Sequence, residues 1–230
     1  MAEMGRTESS MAIVVFLVGL GAGVLVDLYA ARVRRMLSAG RAGTTSATAA
    51  ITATSAAMTA LATGALAAMA WRWSPHPWSA ALLVPLLVLV TVVDIEHQLI
   101  LDGSVLTGLV TGLALSVAGL SVSVPSAIFG LILGSAIMVV VAMASPGSMG
   151  GGDVKFSAVM GAFLGPGFGL LALFVGFILA ALAGLALLIT RRKGRKDSIP
   201  FGPFLAGGTY IAAVWGPVIL SQYLSLLLKK

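Results

Sequence analysis

Leu82-Leu83-Val84-Pro85-Leu86-Leu87-Val88-Leu89-Val90-Thr91-Val92-Val93 is an unbroken apolar run that ends on a carboxylate, Asp94. Further along, Gly150-Gly151-Gly152-Asp153 puts a second carboxylate behind three glycines, at the junction of two very apolar segments. An ionisable group at membrane depth costs about 2.5–3.5 kcal/mol on insertion scales, so a chain seldom keeps one without a use. Two such carboxylates, one of them behind a glycine-rich turn, are the minimum chemical equipment for activating water at a membrane.

Composition agrees with a membrane setting. The 230 residues are 59% hydrophobic and 10% charged, against about 25% charged in a soluble domain. The class implied is all-α: a polytopic transmembrane bundle of about eight spans, with no room for a large soluble domain beside them. There is no cysteine, which excludes disulfides, thiolate zinc sites and cysteine nucleophiles. The net charge of +6 follows loop topology and is not a nucleic-acid footprint.

Apolar runs set against polar breaks give the spans. The first is expected over Met11–Ala30, too long for the apolar region of a cleaved signal and therefore retained. The second is expected over 47–70, rich in the small residues that let helices approach closely in lipid. Trp71, Trp73 and Trp78 bracket the Pro75-His76-Pro77 turn as an interfacial aromatic belt. Further spans are expected over 79–93, 105–122 and 125–143. A short one follows the glycines over 154–164 and ends at Gly165-Pro166-Gly167; the last two cover 168–190 and 204–228.

Alternating these spans puts the loops at 31–45, 94–104, 145–155 and 191–203 on one side. They hold Arg32, Arg34, Arg35, Arg41, Lys155 and the five basic residues from Arg191 to Lys196, ten of the fourteen Lys and Arg. The excess of positive charge makes that side cytoplasmic, and both special carboxylates fall on it. Had the 154–164 segment not crossed, the basic run would lie outside, against the rule.

The eight acidic residues sort readily. Glu3 and Glu8 belong to a solvated tail, Asp197 to a basic loop, and Asp27 to the cytoplasmic end of the first span as a helix-interface polar group. Asp94, Glu96, Asp102 and Asp153 remain. Asp94 and Asp153 are 153 − 94 = 59 residues apart, enough for one helix out, one back and two short connectors, so topology returns them to the same face. Two adjacent carboxylates do not both ionise easily; one keeps a proton and the pair titrates as a unit. The ionised member takes a proton from water while the protonated one polarises a carbonyl. The glycines are expected to let Asp153 swing toward Asp94.

At this point the residues resemble a known family. Gly150-Gly151-Gly152-Asp153-Val154-Lys155-Phe156 is similar to the GxGD box of type IV prepilin peptidases. Val93-Asp94-Ile95-Glu96-His97-Gln98-Leu99-Ile100-Leu101-Asp102 resembles the first aspartate box of that family, and Ile199-Pro200-Phe201-Gly202-Pro203-Phe204-Leu205-Ala206 a further segment near its C-terminus. The three fall in family order over about 80–220. The resemblance implies an aspartic endopeptidase, working without metal or cofactor, that removes the basic leader of prepilin or pseudopilin substrates of type IV pilus or protein-secretion systems. It implies an inner-membrane protein with its active site facing the cytoplasm, Asp94 and Asp153 as the catalytic pair, and 76–230 as the peptidase core behind N-terminal helices in 1–75.

Supporting roles follow with alternatives open. Glu96 and Asp102 either position water and attract the leader or are solvated loop groups; Gly150 and Gly152 shape the turn. Lys155 either acts on Asp153 or serves as a topology signal, and His97 either bonds to Asp94 or has no special task. Leu101 stands where the family commonly has proline. The paired cysteines that many relatives carry in an N-terminal cytoplasmic insertion, and that go with methyl transfer, are absent. Substrate proteins and the bilayer are the expected partners; nucleic acid is not, and the oligomeric state stays open. Presenilin-like proteases share GxGD, but their Tyr-Asp and Pro-Ala-Leu boxes are missing. The competing reading is a proton- or ion-coupled transporter, which places its carboxylates near mid-bilayer. With only His76 and His97 and no HExxH, a metalloprotease is not supported.

Overall fold

The computed structural model describes residues 2–37, 46–144, 149–190 and 199–228, with the outermost side chains of α1, α2 and α7 left aside. The expectations about Arg41, the basic run from Arg191 to Lys196 and Asp197 lie outside the described residues. Seven helices follow in order: α1 Ala2–Leu37, α2 Ser46–Trp73, α3 Pro77–His97, α4 Asp102–Val117, α5 Val124–Ala144, α6 Gly151–Ile189 and α7 Gly202–Leu228. Among the described residues there is no strand. The all-α class is therefore as expected.

The expected count of about eight spans is not confirmed. Five helices, α1, α3, α5, α6 and α7, are long and apolar enough to cross a membrane among the described residues, and α4 is a shorter apolar helix. The long α6 is not straight. Its 39 residues would run about 58 Å at 1.5 Å per residue, twice the roughly 30 Å of a hydrocarbon core. Gly165, at φ 70° and ψ −175°, breaks it before Pro166. A Cβ on Gly169 would then lie 3.4 Å from the Cα of Gly161. Residues eight apart in a straight helix are about 12 Å apart, so the chain folds back at Gly165. The first half, 151–164, is the short segment expected after the glycines.

That first half is the centre of the bundle. Phe156, Val159, Met160 and Phe163 are buried, and they meet Leu83, Leu87 and Val90 of α3, Val105 of α4, Met138 of α5 and Leu205 of α7 in one apolar cluster. Packing against α5 is backbone on backbone: a Cβ on Gly161 would strike the carbonyl oxygen of Gly130, and one on Gly134 would come within 2.8 Å of the Ser157 oxygen. The α1–α2 pair uses the same device, with Gly19 against Gly64 and Gly23 against Ala60. Small residues at such crossings give dispersion contact where lipid offers no hydrophobic drive.

Boundaries differ from the sequence reading at one place that matters. α3 continues through His97, so Asp94 and Glu96 sit on its last turns and not in the loop that follows. Pro77 takes the first helical position, where a missing N–H costs nothing. The other end is closed by Gln98 in the left-handed region, φ 51° and ψ 41°, whose N–H reaches the Asp94 carbonyl at 2.8 Å. Trp71 and Trp78 meet edge to face, 4.6 Å between ring centres, across the turn they bracket.

Gly161→Ala should lower stability by about 1–3 kcal/mol, because the added methyl has no space and α5 must move. Gly21→Ala, in open space within α1, should instead be neutral or gain up to roughly 1 kcal/mol from reduced backbone freedom in the unfolded chain. Thermal unfolding in detergent separates the two.

Candidate active site

Three helix ends converge at one rim of the bundle. Asp94 is on the last turns of α3 and Asp153 on the first turn of α6, and the two are close enough for the charge of one to act on the other. Their residues are only 5% and 8% exposed. Both line a cavity of about 230 Å³ together with Gln98–Ile100, the three glycines and Ile199–Phe201.

Asp94 is held from the third helix. The Gly202 N–H, at the start of α7, donates to its Oδ2 at 2.7 Å. A helix N-terminus carries unsatisfied N–H groups and a partial positive charge, so it is a natural seat for a carboxylate. Nothing larger than hydrogen fits at 202: a Cβ would lie 2.8 Å from that same Oδ2. Pro203 follows at a helix start that tolerates its lost N–H, and Phe201 packs at a tilt against Phe177 with ring centres 5.2 Å apart. Gly202 was not singled out from sequence. The signal was present, in a glycine between Pro200 and Pro203 just ahead of an apolar run, which marks a helix start.

The glycines before Asp153 act differently from expectation. Gly150 is the N-cap, at φ −75° and ψ 144°, and among the described residues only Gly119 and Gly165 are glycines with positive φ. No left-handed hinge is built into this turn. Gly152 is needed for proximity, since a Cβ there would lie 2.8 Å from the Ile100 Cβ. The turn is thereby seated on the segment that follows Asp94. The swing of Asp153 expected from the glycines has no support in this backbone.

The remaining named residues separate from the pair. Lys155 bonds to Asp102 Oδ1 at 2.6 Å, and both are exposed; it does not turn to Asp153. Glu96 is exposed, and its Oε2 is 3.7 Å from the His97 Nε2, so His97 faces Glu96 and not Asp94. Leu101, where the family has proline, adopts φ −73° and ψ 131° as the N-cap of α4. That φ is the one a proline ring imposes, so the departure leaves the turn unchanged. Asp27 is buried on α1, away from the cavity lining. No group of three or more His, Cys, Asp or Glu able to hold a metal ion occurs among the described residues.

Fold and site together define a polytopic helical membrane protein with a paired-aspartate cavity at one end of its bundle. Residues 81–185 match the type IV leader peptidase family, and over that stretch the chain is similar to it. Three similar proteins are each named prepilin leader peptidase/N-methyltransferase. The one from Pseudomonas putida is 34% identical over 167 residues, 69% of this chain and 58% of its own length. That from Pseudomonas aeruginosa is 32% identical, with 71% and 59% covered. That from Bacillus subtilis is 31% identical, with 65% and 60% covered. The chain thus spans about three fifths of the length of the curated relatives it matches. No solved structure matches.

Two substitutions test this architecture. Gly152→Ala should cost about 1–3 kcal/mol by overpacking against Ile100. Leu101→Pro should be tolerated or stabilise by about 0.4–1 kcal/mol, since the native φ already suits the ring. Unfolding midpoints of the purified variants read both.

Proposed function

We propose that this protein is an aspartic endopeptidase that cuts the leader from type IV prepilin-like or pseudopilin substrates. The observation that carries the proposal is the meeting of Asp94 and Asp153 in one cavity from elements 59 residues apart (153 − 94). The match of residues 81–185 to the leader peptidase family supports it, as do the names of the relatives.

The chemistry needs one proton shared between the two carboxyl groups. The ionised member draws a proton from a water molecule, and that water oxygen bonds to the scissile carbonyl carbon. The protonated member donates to the carbonyl oxygen, and collapse of the tetrahedral adduct breaks the C–N bond as the leaving nitrogen takes a proton. The Gly202 N–H keeps Asp94 in register for this cycle. Both carboxylates lie at helix ends, which suits a soluble leader presented at the membrane rim; a carrier would bury them mid-helix.

The excess of basic residues in the loops on this side supports a cytoplasmic active site in the inner membrane. Within the chain, 76–230 is the proposed peptidase core and 1–75 its N-terminal helices. The proposal covers proteolysis and not methyl transfer, for which the cysteine pair of many relatives is missing from this sequence. Asp102 and Lys155 are assigned to tying α4 to α6 at the surface, an exposed ion pair worth under about 1 kcal/mol. Glu96, exposed at the same rim, is placed to meet a basic leader.

In a cleavage assay with a prepilin-like substrate, Asp94→Asn and Asp153→Asn should each abolish cleavage, and EDTA should have no effect. Full activity in either variant defeats the assignment; loss with EDTA points to a metal. Orientation is tested separately in this cysteine-free background. Gln98→Cys should react with a membrane-impermeant maleimide in inverted vesicles and stay unlabelled in intact cells, and the reverse pattern places the site outside.

A further inference from the structure

The turn that ends α3 carries an unexpected residue. Gln98 closes the helix at φ 51° and ψ 41°, and among the described residues it is the one residue other than glycine with positive φ. That region brings Cβ against the backbone, and helix ends of this kind usually take glycine or sometimes asparagine. The capping hydrogen bond comes from the main chain, whose N–H reaches the Asp94 carbonyl at 2.8 Å. Glycine would make the same bond with less strain. The helix end therefore does not explain glutamine at 98.

The cavity supplies a reason. Gln98 is exposed and lines the same space as Asp94 and Asp153. Besides the two acids, the rest of the described lining is the three glycines, Pro200 and the apolar side chains of Leu99, Ile100, Ile199 and Phe201. Gln98 is thus the one uncharged polar side chain on that wall among the described residues. A peptide drawn into the cavity brings N–H and C=O groups that cost free energy if they leave water unpaired. Under the proposed hydrolysis the acids are committed to the water and the scissile carbonyl. A carboxamide offers two donors and two acceptor sites. It can pair with the polar groups of an extended main chain even while another of its hydrogen bonds is made.

We propose that the Gln98 carboxamide binds the substrate main chain at a peptide group flanking the scissile bond, and so sets the substrate's register against the two acids. This rests on the peptidase reading and adds a substrate-binding residue to it. The hydrogen bond from the Gln98 N–H to the Asp94 carbonyl ties the base of this side chain to the helix turn that carries the first acid. Whatever the amide holds is placed relative to Asp94 by one turn of α3. Its partner is main chain, so the contact is indifferent to the substrate's side chains. The left-handed backbone at 98 is then strain kept at a functional position, because relieving it with glycine would lose the amide.

Gln98→Gly removes the amide and relieves the backbone together. In the full-length protein its unfolding midpoint should be equal or higher. Its KM for a prepilin-like substrate should rise about 10-fold, the loss of one or two uncharged hydrogen bonds, with kcat little changed. Gln98→Asn also suits a positive φ and draws the amide back by one methylene. It should show the same rise in KM, and it carries the test if the glycine variant does not fold. Synthetic substrates with one ester in place of a flanking amide locate the contact. One of them should be poorer than the all-amide peptide with the unmutated protein and lose that penalty with Gln98→Gly or Gln98→Asn. Unchanged KM in the variants, a loss in kcat alone (as displacement of Asp94 would give), or an ester penalty that persists in them overturns the inference. With Asp94→Asn inactive in the same assay, that result leaves the peptidase reading standing; cleavage by Asp94→Asn removes both.

Discussion

A carboxylate near the C-terminal end of a helix faces the negative end of that helix's dipole. Asp94 is in this position on α3, and it is tenable because the N-terminus of α7 meets it, with the Gly202 N–H 2.7 Å from Oδ2. That one hydrogen bond binds the two helices at the rim and fixes where the first acid points. Asp153 needs less help, since it lies in the first turn of α6, where the dipole favours negative charge. The site is thus a meeting of three helix termini. α7 contributes a donor and α6 an acid, each suited to its helix polarity, whereas α3 contributes the second acid against its own dipole.

The proposed hydrolysis would demand a rigid frame, because both acids would have to reach one substrate carbonyl to within fractions of an ångström. The frame is built from missing side chains. Gly130 and Gly134 let α5 lie directly on the first half of α6, and Gly152 lets the turn before Asp153 rest on Ile100. Phe156, Val159, Met160 and Phe163 then fill the centre from all sides. In this arrangement the glycine-rich turn is a close-fitting seat for Asp153. Under the proposed function, a pair of acids held this way would be organised before substrate arrives, the condition for electrostatic stabilisation without reorganisation.

Much of this was legible because it is written locally. The apolar run ending at Asp94 and the Gly165-Pro166 break both follow from short-range rules on hydropathy and backbone punctuation. So does the alternation of basic loops. The misreadings arise where locality fails. Asp94 and Glu96 were assigned to a loop because a charge usually ends a span, yet α3 runs on to His97. Lys155 was weighed against its sequence neighbour Asp153, but its partner is Asp102, 53 residues away. The triple glycine suggested freedom of φ, whereas Gly152 answers to a steric contact with Ile100 that no spacing rule reveals.

By itself, then, the chain's linear pattern determined an all-helical membrane bundle, the two acids worth watching and the face to which both return. These depend on transfer free energy and chain length, which are read residue by residue. Only the folded structure decided that Gly202, 108 residues from Asp94, would supply its hydrogen bond, and that Gly152 and Gly161 are glycine for lack of space. Those are contacts between distant segments, and the distance between two groups is fixed by packing, not by sequence separation.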